Sequence, residues 1–451
     1  ELPNRPVRIP GGLFQDSKIT NTEFLENSDV IGIGELAFAN CDEIVVYTNG
    51  LNCYGLGRSA FEGCTSLSEI ELNEGLTTIN MYAFSGCSSL ESISVKEGNT
   101  VYSINKGALI ETKSDIQKLI LYPQAKRDEN TYEIPSDVKI IEGYAFEKQT
   151  SLKYIKLNDK LETINENAFD GVSSIRSIIL PQSITTIKEN AFINCNNLKY
   201  IIFKEGIKTT MTCETTSIPQ GQIYVKEGSG INVLCGKQNI QTYSKEGQAG
   251  DKVNFMITTN ENKMIIHGID EMNNFTKIED QPWRNENDKI NSIVTVEIDE
   301  YITSIGSNAF GEITSLTNVI IPQTVNLIGE YILRGCTMLQ SVSVNNENSK
   351  YCSDSNGVLY EKNGDKRTII QYPVGRTDIS AYSIESTVTQ VKKYAFEKAQ
   401  YLTSITIPNE LTTIEQYAFK ECEKLTQFIV KEGNSVYSVE TQGALVENKN
   451  K

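Results

Sequence analysis

His267 is the only histidine among the 451 residues, so chemistry that needs an imidazole has one place to sit. It lies in MIIHGI (264–269), where its apolar neighbours point to a structural role. No G-x-S-x-G, no G-x-x-x-x-G-K-[ST] and no G-x-G-x-x-G after a strand accompanies it, which leaves acyl transfer and nucleotide chemistry without their parts. The 58 acidic residues are scattered. A glycosidase needs two carboxylates held as a pair, and no spacing singles one out. No catalytic residue and no cofactor is expected. The ten cysteines contain no C-x-x-C, and with one histidine no metal site is expected. Cys41, Cys64, Cys87, Cys195, Cys336 and Cys422 each stand three residues after a Phe or Leu, and Val172, Ile313, Ala399 and Gln149 take that slot elsewhere. A slot that accepts Val, Ile and Ala reads as small, apolar and buried, so these six are expected to be core thiols. Cys53, Cys213, Cys235 and Cys352 lie off this frame. Cys213 and Cys235 flank a cap-like segment and could close a disulfide in an oxidising compartment. Asn274-Phe275-Thr276 is the one N-x-[ST] sequon, a site for glycosylation at Asn274 on a eukaryotic secretory route, or else a chance occurrence.

The cysteine frame is the frame of the whole chain. Ala-Phe, or a close variant, recurs with its Phe at 38, 61 and 84, at 146, 169 and 192, at 310, and at 396 and 419, with Ile332-Leu333 in the same place; neighbours within each run are 23 residues apart. Each unit repeats one apolar pattern, as in Leu67, Ile70, Leu72, Leu76, Ile79, Ala83 and Phe84. The I-x-I step alternates with period two, a short strand with one buried face. Pro181, Pro322 and Pro408 follow the strand and forbid its extension. The three- and four-residue spacing up to Ala-Phe predicts a short helical turn on the opposite side. One unit cannot bury its apolar face alone. Stacked units place Phe on Phe and strand beside strand about 4.8 Å apart. A fixed period in this range marks a leucine-rich-repeat solenoid: an α/β, β-rich fold of right-handed coils with a parallel ladder, and a scaffold for binding before catalysis.

The full motif, L-x-x-I-x-I-P-x-x-[LV]-T-x-I-x-x-x-A-F-x-x-C, is best preserved in LTSITIPNELTTIEQYAFKEC (402–422) and IRSIILPQSITTIKENAFINC (175–195). It resembles the BspA-like leucine-rich repeat over most of the chain, apart from roughly the first 30 residues and 207–290. The resemblance implies a cell-surface or secreted protein that adheres to host cells, matrix proteins or other microbes. Residues 1–247 read as a first array with a C-terminal cap near 207–247. Residues 248–451 read as a second array with an N-terminal hairpin cap near 251–300, where Trp283 would cover the first Phe. Two matching inserts, 101–123 and 351–373, widen the spacing. They read as longer coils that continue the ladder, which the resemblance favours, or as looped-out hairpins. Residues 430–451 nearly repeat 95–115, so the second array is expected to be truncated and the chain to be a piece of a longer protein. The net charge of −16 without a Lys/Arg run argues against nucleic-acid and anionic-membrane partners. No apolar run reaches the 18–20 or so residues of a membrane span, so direct membrane insertion is not expected.

Between the two buried residues of each strand one position points outward. In the first array Tyr154, Lys156, Ile179, Tyr200 and Ile202 fall on outward or flanking positions of successive coils, a candidate protein-binding strip. The alternative is that these residues suit a strand or are covered. The expected partners are host extracellular-matrix or cell-surface proteins, or other microbial surface proteins. The expected function is adhesin-like and non-catalytic, and the rival expectation is a spacer that projects another domain.

Overall fold

A computed structural model describes residues 6–20, 22–26, 29–207, 212–213, 222–229, 240–284, 289–441 and 443–448. The chain divides into two compact units, Glu1–Gln241 and Thr242–Lys451.

In the first unit each coil contributes a strand to two ladders. One ladder runs Val46–Thr48, Glu69–Leu72 and Ser92–Val95, all parallel, with Ile70 opposite Ile93. The other runs Val7–Ile9, Val30–Ile33, Gly55–Leu56 and Thr78–Ile79. Beyond the first insert both ladders resume, for example Val138–Ile141, Thr163–Ile164 and Thr186–Ile187. Ser177–Leu180 ends directly before Pro181, and in the second unit Asn318–Ile321 and Ser404–Ile407 end before Pro322 and Pro408, because proline has no N–H to give the ladder.

The third side is not helical. In every coil the residue two before the Phe has a positive φ: Leu36 (57°), Ser59 (54°), Tyr82 (63°), Tyr144 (61°), Asn167 (56°) and Asn190 (57°) in the first unit, and Asn308 (55°), Tyr331 (60°), Tyr394 (61°) and Tyr417 (64°) in the second. The residue two after it does the same, as Asn40, Gly63, Gly86, Lys148 and Gly171 show. Two left-handed residues break any α-helical run. The backbone bonds go between coils instead: the N–H of Phe38, Phe61, Phe146 and Phe169 donates to Ala60, Ala83, Ala168 and Ala191, each at 2.8 Å. The fold is therefore a β-solenoid with almost no helix. The spacing that suggested a helical turn belongs to a turn closed by its neighbour.

The Phe rings stack along the axis, with centroids 5.1 Å apart for Phe38–Phe61 and Phe146–Phe169 and 4.9 Å for Phe169–Phe192. Phe14 extends the stack by one coil, 5.1 Å from Phe38; its 24-residue offset hid it from the 23-residue frame. In the second unit Trp283 is fully buried and stacks on Phe310 at 5.9 Å. The hairpin Val253–Thr258 with Lys263–Gly268 precedes it. Burial pushes His267 down to about 4, so its imidazole is neutral near pH 7.

Both readings of the inserts are partly right. Tyr102–Asn105, Ala108–Lys113 and Ile116–Leu121 form an antiparallel meander, and its last strand pairs in parallel with Val138–Ile141. The second insert does the same with Tyr351–Ser353, Leu359–Asn363, Lys366–Gln371 and Val388–Val391. Tyr122 and Tyr372 fill the Phe position, stacking on Phe146 at 5.7 Å and Phe396 at 4.8 Å.

Candidate functional site

The strip read from the sequence is only partly exposed. Tyr154 and Ile179 are half-buried and Lys156 is exposed, with its Nζ 3.5 Å from Glu133. Tyr200 and Ile202 are each 1% exposed, a correction to the expected surface patch. The strand Gln222–Lys226 pairs alongside Tyr200–Phe203, the Tyr224 ring lies 6.0 Å from that of Tyr200, and all four residues of Tyr200–Phe203 are buried on both faces. Alternation along a strand fixes direction, not exposure. Asn274 is exposed, and its Oδ1 accepts the Ser307 N–H at 2.8 Å. Cys235 and the Cys213 side chain lie outside the described residues, and with them the Cys213–Cys235 pairing.

The six framed cysteines are free thiols, but their slot is more than apolar. Each Sγ donates to a carbonyl of the preceding coil: Cys41 to Phe14 at 2.9 Å, Cys64 to Phe38 at 3.1 Å, Cys87 to Phe61 at 3.3 Å, Cys195 to Phe169 at 3.0 Å, Cys336 to Phe310 at 3.1 Å and Cys422 to Phe396 at 3.0 Å. Gln149, in the same slot, donates its Nε2 to Pro123 at 2.9 Å. Burial pushes Cys64, Cys195 and Cys336 up to about 12, so these thiols are protonated and poor nucleophiles.

A cleft of about 470 Å³ opens where the first insert interrupts the solenoid. Its walls include Ile79, Met81 and Tyr82 from one coil, Ile116 and Lys118 from the insert, and Tyr144 from the coil beyond. The insert peels away because Ile116–Leu121 is covered by its antiparallel partner and offers no edge to Thr78–Ile79. Tyr102 reaches across in its place: its hydroxyl accepts the Ile79 N–H at 2.7 Å and donates to Glu111 at 3.1 Å. The positive φ at Tyr82 and Tyr144 turns both side chains off the core stack, and their rings meet edge to face at 5.1 Å. The Tyr82 hydroxyl donates to Glu166 at 2.6 Å, and the Arg58 guanidinium lies 5.2 Å over its ring. On the far side Glu147 fastens the two coils, accepting from the Ser85 hydroxyl and the Gly86 N–H, both at 2.8 Å, and from Gln124 at 3.2 Å. Lys118 sits in the cleft with Glu142 at 2.9 Å and Glu111 at 3.8 Å.

The second unit repeats the arrangement. Tyr331 and Tyr394 meet at 5.5 Å, Ile328 donates to the Tyr351 hydroxyl at 2.9 Å, and Arg334 binds Glu397 at 3.0 Å while lying 4.2 Å over the Tyr394 ring.

The sequence profile of the BspA type leucine rich repeat region matches residues 7–127, 125–218, 265–356 and 368–442. The chain belongs to this family. Solved structures are also similar to parts of the chain. The pneumococcal vaccine antigen PcpA is 20% identical over 49% of this chain and 72% of its own, with a TM-score of 0.36. A leucine-rich repeat protein from Eubacterium ventriosum is 19% identical over 73% of this chain and 85% of its own, with a TM-score of 0.34. A leucine rich cell surface protein from Faecalibacterium prausnitzii is 19% identical over 90% and 84%, with a TM-score of 0.27. No curated protein sequence matches significantly. Within this BspA-type chain one sequence signal does point to the cleft. The residue two before the Phe is Leu, Ser or Asn in ordinary coils, but Tyr82, Tyr144, Tyr331, Tyr394 and Tyr417 stand there in coils that border an insert. Among the described residues no helix is long and apolar enough to cross a membrane.

Proposed function

We propose that this chain is a non-catalytic binding protein of the cell surface or secreted space. Its role is adhesion to macromolecules of a host or of other microbes, with the cleft beside the first insert as a contact site. The observation that carries the reading is the cleft itself: two tyrosines are held at positive φ on a rigid repeat scaffold, where aromatic, apolar and charged side chains converge. Backbone held in a sparsely populated region is a pointer to function, and aromatic side chains dominate recognition surfaces. Tyr154, Lys156 and Ile179 supply a second, flatter contact on the ladder face. Repetition of such sites along one chain multiplies weak contacts.

The test is binding of the purified chain to immobilised host matrix proteins and to cells, beside a Tyr82→Ala/Tyr144→Ala variant and a Tyr154→Ala variant. Saturable binding lost in the first variant supports adhesion through the cleft. Loss only in the second moves the contact to the ladder face, and no binding by the parent chain removes the adhesive role.

A further inference from the structure

The turn side of each coil is a donor edge, and the cleft exposes one copy of it. In the coils of Phe38, Phe61 and Phe169 the amides two apart around Ala-Phe all donate to the coil that follows. Ser59, Phe61 and Gly63 donate to Met81, Ala83 and Ser85 at 3.0, 2.8 and 2.8 Å, and Asn167, Phe169 and Gly171 donate to Glu189, Ala191 and Ile193 at 3.2, 2.8 and 2.9 Å. The corresponding donors on the coil that walls the cleft are Tyr82, Phe84 and Gly86. Gly86 is taken by Glu147 at 2.8 Å. Tyr122, in the Phe position of the insert's coil, donates on to Ala145 at 2.7 Å, so register would offer Phe84 the Leu121 carbonyl, and no hydrogen bond joins those two. The amides of Tyr82 and Phe84 find no acceptor among the described residues. Coil register aims them at the space where a following turn would lie, and residues 82–85 line the cleft there. The second unit repeats the feature: Asn308, Phe310 and Glu312 donate to Glu330, Ile332 and Arg334, whereas Tyr331 and Leu333, beside the second insert, have no such acceptor among the described residues.

Main-chain amides are strong donors, and an edge of unpaired ones is a template for another chain. We propose that the first cleft binds a polypeptide segment in the turn conformation of the repeat's own coils. Two of its carbonyls, on alternate residues, accept the Tyr82 and Phe84 amides, and its side chains rest on Met81, Ile116 and Tyr144. The main-chain donors favour a polypeptide because the equivalent amides of Asn167 and Phe169 take two alternate carbonyls of a chain segment, those of Glu189 and Ala191. Met81 and Ile116 are 44% and 40% exposed, apolar contacts that side chains of such a segment would cover. The inference rests on the binding role proposed above and names its partner class.

The probe is a fluorescein-labelled, C-amidated peptide IKENAFIN, the sequence of residues 187–194, whose counterpart seats on the equivalent amides one coil on. It is titrated with the full chain by fluorescence anisotropy, beside a version in which the carbonyl of the Ala is replaced by methylene. Saturable binding is expected, weakened at least about tenfold by loss of that carbonyl, the loss of roughly one good hydrogen bond. The exposed-site variant Met81→Glu/Ile116→Glu should lose a site from the titration while keeping its thermal unfolding profile. Equal binding of both peptides, a titration unchanged in the variant, or no saturation by the parent peptide overturns the proposal. Saturation by neutral oligosaccharides such as chitohexaose, with none by the peptide, overturns it in favour of a glycan. Adhesion to matrix proteins that persists in the Met81→Glu/Ile116→Glu chain would remove this site and leave the adhesive role standing.

Discussion

Asn348 carries four hydrogen bonds on one side chain. Its Nδ2 donates to Pro322 and Val325, both at 2.9 Å, and its Oδ1 accepts from Lys350 and Tyr351 at 2.9 and 2.8 Å. It is 1% exposed. Asn99 and Asn434 make the same set at the other insert starts, so one residue type ties the start of each insert to the coil before it. Asn348→Ala strands two carbonyls and two amides in the interior. It should cost about 4 kcal/mol or more, since each buried group left unpaired costs roughly 1–3. Urea unfolding of the two proteins measures it, and a loss under about 1 kcal/mol would show that the turn holds by other means. His267 makes a pH prediction. Its folded value is depressed from 6.5 to about 4 by burial, so the unfolded chain takes up the proton first. The stability it contributes is fully present above about pH 6.5 and is lost as pH falls towards 4, up to about 3 kcal/mol. His267→Phe should flatten that part of the stability profile, and an unchanged slope between pH 6.5 and 4 would sink the assignment.

The turn elements show which sequence signals were sufficient. The period-two alternation marks the strands, and where proline follows, at 181, 322 and 408, its missing N–H fixes their ends. The Ala-Phe spacing did not define the third side, because i, i+3, i+4 contacts arise equally in a turn closed by inter-coil bonds. The inserts were legible as longer coils or as hairpins, but their combination, an antiparallel meander whose last strand joins the parallel ladder, depends on a register that neither insert sequence states. The cleft was signalled only by the tyrosines two before the Phe in coils that border an insert; its shape exists only where a neighbouring coil is displaced. The positive-φ positions offer a direct test. The residue two after the Phe is glycine at 63, 86, 171 and 335, but Glu312 adopts φ 56° there and is exposed. A side chain in the left-handed region costs about 1 kcal/mol or more, so Glu312→Gly should stabilise the second unit by about 0.5–1 kcal/mol. The midpoint of thermal unfolding should rise; a fall would mean that unfolded-state entropy outweighs the relieved strain.

Within the first unit the insert is also a wall between two cores. Leu109 and Leu121 pack with the coils of Phe38, Phe61 and Phe84, whereas Ala108, Ile110 and Leu119 pack with those of Phe146, Phe169 and Phe192. The period of two sends Leu109 to one core and Ala108 and Ile110 to the other, and a register shift between Leu119 and Leu121 sends those two to opposite cores, so each core meets the other mainly through one antiparallel meander. In a solenoid stability passes from neighbour to neighbour, and a weak joint should stop a local defect from spreading. Phe169→Ala removes a ring stacked on both sides and should cost about 3–5 kcal/mol. Amide hydrogen exchange followed by mass spectrometry should then speed up in strands Val138–Ile141, Thr163–Ile164 and Ser177–Leu180. Strands Val30–Ile33 and Glu69–Leu72 should keep their parent rates, because their core contains none of the atoms removed. Equal acceleration on both sides of the insert would mean that the meander transmits strain as an ordinary coil does. The cleft beside it would then open and close with the whole unit rather than stand as a fixed gap in the ladder.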